Sequence, residues 1–281
     1  MGKRFISIPQ LSHMPVKIDL NGLGVIVTAS SRGIGFNIAK ELLKRNARVV
    51  ISSRSEGNLK KALDELSSYG EVYSVRTNLF DQKDLENLVK KSWELLGEVD
   101  ALVWNAGNVR CEPCLLHEAS YTDWIEASAL HTVAPGYLTT LLVQAWLERK
   151  RKGILVYLNS VSIKEPMPPL VLADVTRAGL VQLAKSVSRT YGKHGIRAYS
   201  ILLGSFDTPG ARENLKAVAE SRGEPFEETW EREVLARTPL HRTGRWEELG
   251  SLVAFLLSEG AEYMLGSTVV IDGAMTRGID I

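Results

Sequence analysis

The sequence predicts an α/β protein: a doubly wound, mostly parallel seven-stranded sheet with helices on both faces. Short apolar runs, typical of strands buried on both faces, alternate with segments whose apolar residues recur at helical spacing. The turn after the first of these runs contains two glycines and opens a helix, as dinucleotide-binding folds do. This alternation implies right-handed crossovers between parallel strands.

Each element follows from its apolar pattern. The strands are expected at residues 25–27, 49–51, 72–75, 101–104, 154–158, 198–202 and 268–271. The helices are expected at residues 34–43, 59–66, 84–96, 123–149 and 180–191. Pro135 is expected to kink the longest of them, because proline removes a helical hydrogen bond.

A single domain is expected over residues 20–281, after an N-terminal extension at 1–19. Residues 209–245 interrupt the alternation with a long charged segment that is predicted to be helical in pieces, broken by Gly223 and Pro225. The segment follows the carboxyl end of a strand, where ligands bind in such sheets. We therefore predict a lid, and the alternative is a surface excursion with no gating role.

Composition narrows the function. The chain of 281 residues is 44% hydrophobic and 24% charged, as in soluble globular proteins. A net charge of +1 argues against nucleic acid or an anionic membrane as a partner. No apolar run approaches the roughly 20 residues of a membrane span, and no secretory signal is evident. A cytoplasmic protein is expected.

Two cysteines, Cys111 and Cys114, are spaced as Cys-x-x-Cys, and His117 follows. They can be ordinary thiols in a loop, a local disulfide, or part of a zinc site. Further zinc ligands are not visible nearby, so no metal is predicted. The sequence favours loop thiols but leaves the disulfide open.

The turn at residues 28–35 is predicted to bind the pyrophosphate of a dinucleotide. Glycines there let the backbone approach the phosphates, and the amides at the start of the following helix face them. The candidates in this turn are Thr28, Ser30, Ser31, Arg32, Gly33, Ile34 and Gly35.

The end of the second strand predicts which dinucleotide is bound. An acidic residue there would bind the ribose hydroxyls of NAD, but the chain has Ser53 and Arg54. Arg54 and Arg32 are expected to face a 2′-phosphate, whose oxygens suit the fork of guanidinium donors. NADP(H) is therefore predicted, in preference to NAD(H).

Four motifs together resemble the short-chain dehydrogenase/reductase family, whose fold is of the Rossmann type. The turn at 28–35 is similar to T-G-x-x-x-G-x-G, with Ala29 at the first glycine. Residues 104–107 are similar to N-N-A-G, residues 203–208 to P-G-x-x-x-T, and residues 272–274 to D-G-G, each with a substitution. The alanine is expected to adopt the backbone angle that this turn needs.

The resemblance spans about residues 20–277 and implies further cofactor contacts. These fall at Asn78, Leu79, Asn105, Ala106, Gly107, Arg177, Gly204, Phe206 and Thr208. It also implies a homotetramer or homodimer that acts on a small-molecule carbonyl or alcohol.

The family's reaction centre is incomplete in this sequence. Family members carry a serine, a tyrosine thirteen residues later and a lysine four residues beyond; here these positions hold Ser160, Ala173 and Arg177. No tyrosine lies between Tyr157 and Tyr191, so a register shift does not restore the pattern. Ser160 is expected to orient the substrate oxygen, although it can equally cap the end of its strand. Arg177 is expected to anchor ribose hydroxyls but not to move protons.

A substitute acid is therefore sought among nearby residues. His131, at the position of a family asparagine, is the first candidate, because an unperturbed histidine has a pKa of about 6.5. Asp174, beside Ala173, is the second. Alternatively, His131 is a structural histidine and Asp174 simply pairs with Arg177 along the helix.

Two functions fit these observations. The first is an NADP(H)-dependent oxidoreductase of short-chain dehydrogenase type with a non-standard active site, acting on a carbonyl or alcohol, sugars included. The second is a catalytically inactive NADP(H)-binding protein of the same fold that serves as a sensor or an assembly partner. The preference for the enzyme over the inactive protein rests partly on fold analogy, and a fold does not by itself determine function.

Overall fold

The computed structural model describes residues 18–278; most of the predicted N-terminal extension, residues 1–17, lies outside the described residues, as do residues 279–281. It contains one seven-stranded sheet in the order β3-β2-β1-β4-β5-β6-β7, with every pairing parallel. The strands are β1 (Gly24–Val27), β2 (Arg48–Ser53), β3 (Val72–Arg76), β4 (Ala101–Trp104), β5 (Gly153–Ser160), β6 (Ile196–Leu203) and β7 (Thr268–Ile271). The predicted fold class is confirmed.

Helices cover both faces of the sheet, which explains why the central strands β1 and β4 are apolar throughout. Their bounds are α1 (Gly33–Leu43), α2 (Glu56–Leu66), α3 (Gln82–Leu96), α4 (Tyr121–Ser128), α5 (Ala134–Glu148), α6 (Val171–Tyr191), α7 (Pro209–Arg222), α8 (Phe226–Trp230) and α9 (Trp246–Leu257). In β1, Val25 and Val27 belong to the core beneath α1, α2 and α9, whereas Ile26 belongs to the core beneath α3, α5 and α6. This alternation is the two-residue period of a strand.

Helix α6 begins well before the predicted residue 180, at Val171. Buried Leu172, Thr176 and Leu180 recur at intervals of four, which marks this early part as helical. The sequence offers no conventional start signal, because Leu170 occupies the N-cap position without a side-chain hydrogen bond. The early start places Ala173, Asp174 and Arg177 on the first two turns of the helix.

The single helix predicted at 123–149 is divided into α4, a π-helical turn at Ala129–Val133, and α5. Pro135 lies in the first turn of α5, where the missing N–H costs little. The π turn contains His131, and such turns are frequent at functional sites. The His131 side chain is buried within this π turn.

The charged segment at 209–245 is helical in pieces, as predicted. Helix α7 ends at Gly223, whose φ of 64° is easily adopted by glycine, and α8 follows Pro225.

Helix α9, which the sequence analysis did not assign, packs closely on α1. A Cβ on Gly250 would lie only 2.4 Å from the Cβ of Glu41. Between residues 18 and 278, every helix is too short or too polar to cross a bilayer.

Candidate active site

A cleft of about 280 Å³ opens at the carboxyl edge of the sheet, where the strand order reverses between β1 and β4. Most of the predicted cofactor residues line it. They are Ser31, Arg32, Gly33, Ile34, Ser53, Arg54, Asn78, Leu79, Asn105, Ala106, Gly107 and Thr208. The structure therefore gathers segments that lie far apart in the sequence around one cleft.

The turn between β1 and α1 is suited to phosphate. The first turn of α1 contains no acidic residue, and its N-cap, Arg32, makes no side-chain hydrogen bond to it. The free amides and the positive end of the helix dipole are available to an anion. Gly33 has a φ of 61°, and the nearest atom to a Cβ placed there would be the Thr208 Cβ, 3.9 Å away. Glycine therefore keeps this part of the cleft clear.

Ala29 departs from expectation. Its φ is 46°, in the left-handed region, so this position calls for a conformation that alanine adopts only with strain. Gly35 must be glycine for another reason, because a Cβ there would lie 2.7 Å from the Ala29 carbonyl oxygen and 2.8 Å from Asn105 Nδ2. The turn retains the family's close packing but carries strain at its first position.

Several predicted cofactor residues support the cleft without lining it. The Thr28 hydroxyl donates to the Asn105 carbonyl oxygen at 2.7 Å and accepts from the Asn105 amide at 2.8 Å. The Ser30 hydroxyl donates to the Val27 carbonyl oxygen at 2.6 Å and accepts from the Ser52 amide at 2.9 Å. These side chains fix the β1 turn against β4 and β2.

The segment after β6 closes one end of the cleft. A Cβ on Gly204 would lie 2.6 Å from the Asp272 Cα, so only glycine fits against the last strand. The Phe206 side chain is buried and stacks on Trp246, with ring centroids 5.5 Å apart. The Thr208 hydroxyl accepts from the Ala211 amide at 2.9 Å and so caps α7. Only Thr208 of these three lines the cleft itself.

The opposite end of the cleft is basic. Arg54 lines both this cleft and an adjoining cavity of about 460 Å³, which Arg76 and Arg110 also line. Sequence reasoning missed Arg76, although it ends β3 in register with Ser53 at the end of β2. Arg32 is exposed, as Arg54 and Arg76 are, and lies 3.6 Å from a Glu213 carboxylate oxygen.

His131 and Arg177 contact each other beside the cleft. The Arg177 Nε–H donates to His131 Nε2 at 3.2 Å. The Thr176 hydroxyl donates to the Leu172 carbonyl oxygen, so His131 Nδ1–H must donate to Thr176 Oγ1, at 2.9 Å. His131 is therefore a neutral imidazole protonated at Nδ1, with both nitrogens engaged.

This environment corrects the expectation that His131 titrates near neutrality. Its side chain is 1% exposed, and burial, together with the Arg177 guanidinium, lowers its pKa to about 3. The imidazolium form is then negligible at neutral pH. The alternative, a structural histidine that holds Arg177, matches the geometry better.

Ser160 is held at the end of β5 with its proton free to donate. Its hydroxyl oxygen accepts from the Ser162 amide at 3.2 Å and from the Ser162 hydroxyl at 2.8 Å. Asn159, the residue before it, donates from its side-chain amide to the Arg177 carbonyl oxygen at 3.1 Å. The end of β5 is thus attached to the backbone of α6 at Arg177.

Asp174 is buried at 8% exposure. Its Oδ2 accepts from the Met167 amide at 2.9 Å, while its Oδ1 lacks a partner among the residues described. Burial raises its pKa, and the Ser162 hydroxyl, the Met167 amide and Arg177 oppose that rise. The Ser162 hydroxyl donates its proton to Ser160, so Asp174 Oδ1 is left without a hydrogen-bond donor among the described residues.

Glu112, like Arg76, was missed by sequence reasoning. Its Oε1 accepts from the Ala173 amide at 2.5 Å, and its side chain is 8% exposed. Burial raises the pKa of this carboxyl, against the lowering effects of the Ala173 amide and Arg177. A second acidic group therefore lies at the position where the family has its tyrosine, and the side chain of Ala173 is itself only 1% exposed.

The Cys-x-x-Cys loop holds the Glu112 carboxyl next to the Ala173 amide. Cys111 and Cys114 are paired as a disulfide on either side of Glu112, so the favoured interpretation as loop thiols is wrong in this structure. The Cys114 amide donates to the Pro169 carbonyl oxygen at 2.9 Å, which joins the loop to the segment before α6. Within residues 18–278, no cluster of three or more histidine, cysteine or acidic side chains suits a metal ion.

Comparison with known proteins agrees with this architecture. A family model described as enoyl-(acyl carrier protein) reductase matches residues 28–276. A tropinone reductase homologue of Arabidopsis thaliana is 28% identical over 268 residues, covering 94% of this chain and 82% of the relative.

Two solved structures are similar over most of the chain. L-sorbose reductase of Gluconobacter frateurii, complexed with NADPH and L-sorbose, superposes with a TM-score of 0.86 at 26% identity, covering 94% of this chain and all of the other. A variant of actinorhodin polyketide ketoreductase with NADPH gives a TM-score of 0.83 at 26% identity, covering 89% and 96%. With this sheet order, this cleft and these matches, the chain belongs to the short-chain dehydrogenase/reductase family.

Proposed function

We propose that the protein is an NADP(H)-dependent oxidoreductase that interconverts a small-molecule carbonyl and its alcohol through a non-standard active site. One observation carries the proposal: the cleft runs from Arg54 to Thr208 past the free amides of α1. The solved relatives that contain NADPH support the choice of nucleotide. When bound, the nicotinamide supplies or accepts hydride.

The residues of the cleft fit a phosphorylated dinucleotide. The α1 amides beside Gly33 are placed to bind the pyrophosphate. Arg54 is placed to bind the 2′-phosphate by charge-assisted hydrogen bonds, whereas Arg76, in the adjoining cavity, already lies 3.7 Å from an Asp84 carboxylate oxygen and 3.8 Å from one of Glu56. Arg32 is also a weaker candidate for that role than Arg54, because it faces Glu213.

The active site is non-standard because Ala173 and Arg177 stand at the family's tyrosine and lysine positions. The Ser160 hydroxyl is placed to donate to the substrate oxygen, since its own proton is not used by Ser162. Arg177 keeps a positive charge near that oxygen while bound to His131. His131 is unsuited to donating a proton at neutral pH, which leaves the Glu112 carboxyl or a bound water to do so.

Turnover tests the enzymatic proposal directly. The full chain is mixed with NADPH, and loss of absorbance is followed across ketones, aldehydes, aldoses and quinones. Turnover of at least one class, reduced about 10-fold or more by Ser160→Ala, is expected if the serine orients the oxygen. The Ser67→Ala variant, on the exposed end of α2, serves as the matched control. NADPH binding with no turnover on any class would reject the enzyme.

One observation favours the second candidate, an inactive NADP(H)-binding protein. The His131 and Arg177 side chains are bound to each other, and Ala173 has no side chain that can transfer a proton. The double variant Ala173→Tyr with Arg177→Lys decides between the two candidates. Activity that appears only in this variant identifies the natural chain as a binder; a tyrosine at 173 must find room beside the Glu112 carboxylate.

Two further features remain proposals. Helices α7 and α8 are proposed to be a lid, because α7 starts at Thr208 on the edge of the cleft. A homodimer or homotetramer is proposed through the α4–α6 surface, where Ile125 and Val133 are exposed apolar side chains. Limited proteolysis with and without NADPH tests the lid, and sedimentation tests the oligomer.

A further inference from the structure

A further cavity lies beside the loop after β5. It shares no lining residue with the nucleotide cleft. It measures about 560 Å³ and lies between the loop at 115–117, the loop after β5 and the first turn of α6. Its walls are mostly aliphatic and include Leu116, Ile163, Met167 and Val171. The volume and apolar lining suit the body of a small organic molecule.

Asp174 is the acidic group in this cavity lining. More than nine-tenths of it is buried, and Oδ1 has no hydrogen-bond partner in the described part of the chain. An unsatisfied polar atom in apolar surroundings is costly, whereas a ligand that donates a hydrogen bond removes that cost. Asp174 therefore points to a ligand with a donor group, such as a hydroxyl or an ammonium.

The cavity also adjoins Ser160. Ser162 contributes to the cavity lining, and its hydroxyl oxygen lies 2.8 Å from the Ser160 hydroxyl oxygen. A molecule that fills the cavity therefore comes close to the serine proposed to hold the substrate oxygen. This link makes the cavity part of the same site.

The charges around the cavity argue against an anionic ligand. Among the described residues its lining contains no lysine or arginine, and the charge of the nearby Arg177 guanidinium is opposed electrostatically by two carboxyls, Glu112 and Asp174. Arg237 reaches the Met167 sulfur from outside, at 4.0 Å, but is not part of the lining. A carboxylate or phosphorylated substrate would have no dedicated partner here.

We infer that this cavity binds the apolar body of an uncharged or cationic substrate, and that Asp174 accepts a hydrogen bond from a hydroxyl or ammonium group on it. The inference rests on the proposed oxidoreductase function and narrows it to apolar cyclic or branched carbonyls and alcohols. Sugars and acidic substrates fit poorly, because a polyol would leave most of its hydroxyls unpaired against aliphatic walls.

Binding is tested on the full chain without cofactor, by NMR of ¹³C-labelled isoleucine and methionine methyl groups. Cyclohexanol and cyclohexylamine are expected to shift the Ile163 and Met167 signals saturably. Sorbitol and cyclohexanecarboxylate, at the same concentrations, are expected not to. Equal binding of sorbitol, or no shift with either cyclohexyl donor probe, overturns the inference.

The Asp174→Asn variant tests the carboxylate, and the expected loss of cyclohexylamine affinity is about tenfold, since hydrogen bonds to charged groups are the strong ones. Glu118→Gln is the matched control: this carboxylate, in the same loop, binds the Leu115 amide but does not line the cavity. Unchanged affinity in Asp174→Asn contradicts the assigned role. If that variant does not fold, Val171→Phe, which fills the cavity, must abolish the shifts.

An NADPH titration of the same samples distinguishes failure of the cavity inference from failure of the oxidoreductase proposal. NADPH binding without cyclohexanol binding rejects the cavity but leaves the oxidoreductase proposal standing. Cyclohexanol binding without NADPH binding rejects the oxidoreductase and retains the cavity as a ligand site.

Discussion

Replacing His131 by asparagine, the residue that the family pattern has at this position, should change how the protein's stability depends on pH. His131 is buried, and its pKa falls from an ordinary value of about 6.5 to about 3. Unfolding exposes the ring, so the unfolded chain binds a proton below pH 6.5 that the folded chain does not bind until about pH 3. The stability that this neutral histidine contributes is therefore complete above pH 6.5 and is lost as the pH falls towards 3.

The size of the effect follows from the linkage. Each pH unit within that window costs about 1.4 kcal/mol, so between pH 7.5 and 4.5 the wild-type chain loses about 2–3 kcal/mol through His131 alone. Asparagine does not titrate. The difference in unfolding free energy between wild type and His131→Asn should therefore shift by about 2–3 kcal/mol over this range, in favour of the variant at low pH.

Urea unfolding at fixed protein concentration, measured at intervals from pH 7.5 to 4.5, provides the assay. The variant will lose the contacts with Thr176 and Arg177 at every pH, so only the change in the difference is diagnostic. The remaining acids and histidines titrate in both proteins and cancel. His194→Asn, on an exposed turn after α6, is the matched control for a histidine substitution outside the core. Parallel pH curves for wild type and His131→Asn would refute the assignment of a neutral buried imidazole.

Three further predictions follow from the same site. Glu112→Gln keeps an acceptor for the Ala173 amide but cannot ionise. Because burial raises the Glu112 pKa above its ordinary value, the melting temperature of wild type should fall relative to that of this variant as the pH rises above about 4.5, and matching curves would contradict this. Ala29→Gly relieves a left-handed alanine and should raise the unfolding free energy by about 0.5–1 kcal/mol in urea titrations, whereas a loss of stability would show that the turn is unstrained. Arg54→Ala should weaken NADPH about tenfold or more by fluorescence titration and leave NADH unchanged, and equal effects on both would remove Arg54 from the 2′-phosphate site.

The sheet could be predicted because its signals are local. A parallel strand covered on both faces reads as a short apolar run, and β4, expected at 101–104, is found at Ala101–Trp104. The cleft was predictable for a related reason. Strand ends and the glycine turn are visible in the sequence, and the topology of a doubly wound sheet brings them together.

The reaction centre was harder, because its features depend on contacts between distant segments. Glu112 and Ala173 are 61 positions apart, and only the docking of the disulfide loop onto the segment before α6 brings them together. The start of α6 was missed because Leu170 gives no capping signal. The low pKa of His131 reflects burial within a π turn, and sequence alone does not show burial.

The central claim is that a phosphorylated nicotinamide dinucleotide binds in the cleft at the carboxyl edge of this sheet. Isothermal titration calorimetry of the full chain with NADPH and NADH, under identical buffer conditions, tests it most directly. We expect saturable binding of NADPH with one site per chain, and affinity for NADH at least about tenfold weaker. Absence of a binding isotherm with NADPH, or tighter binding of NADH, would contradict it.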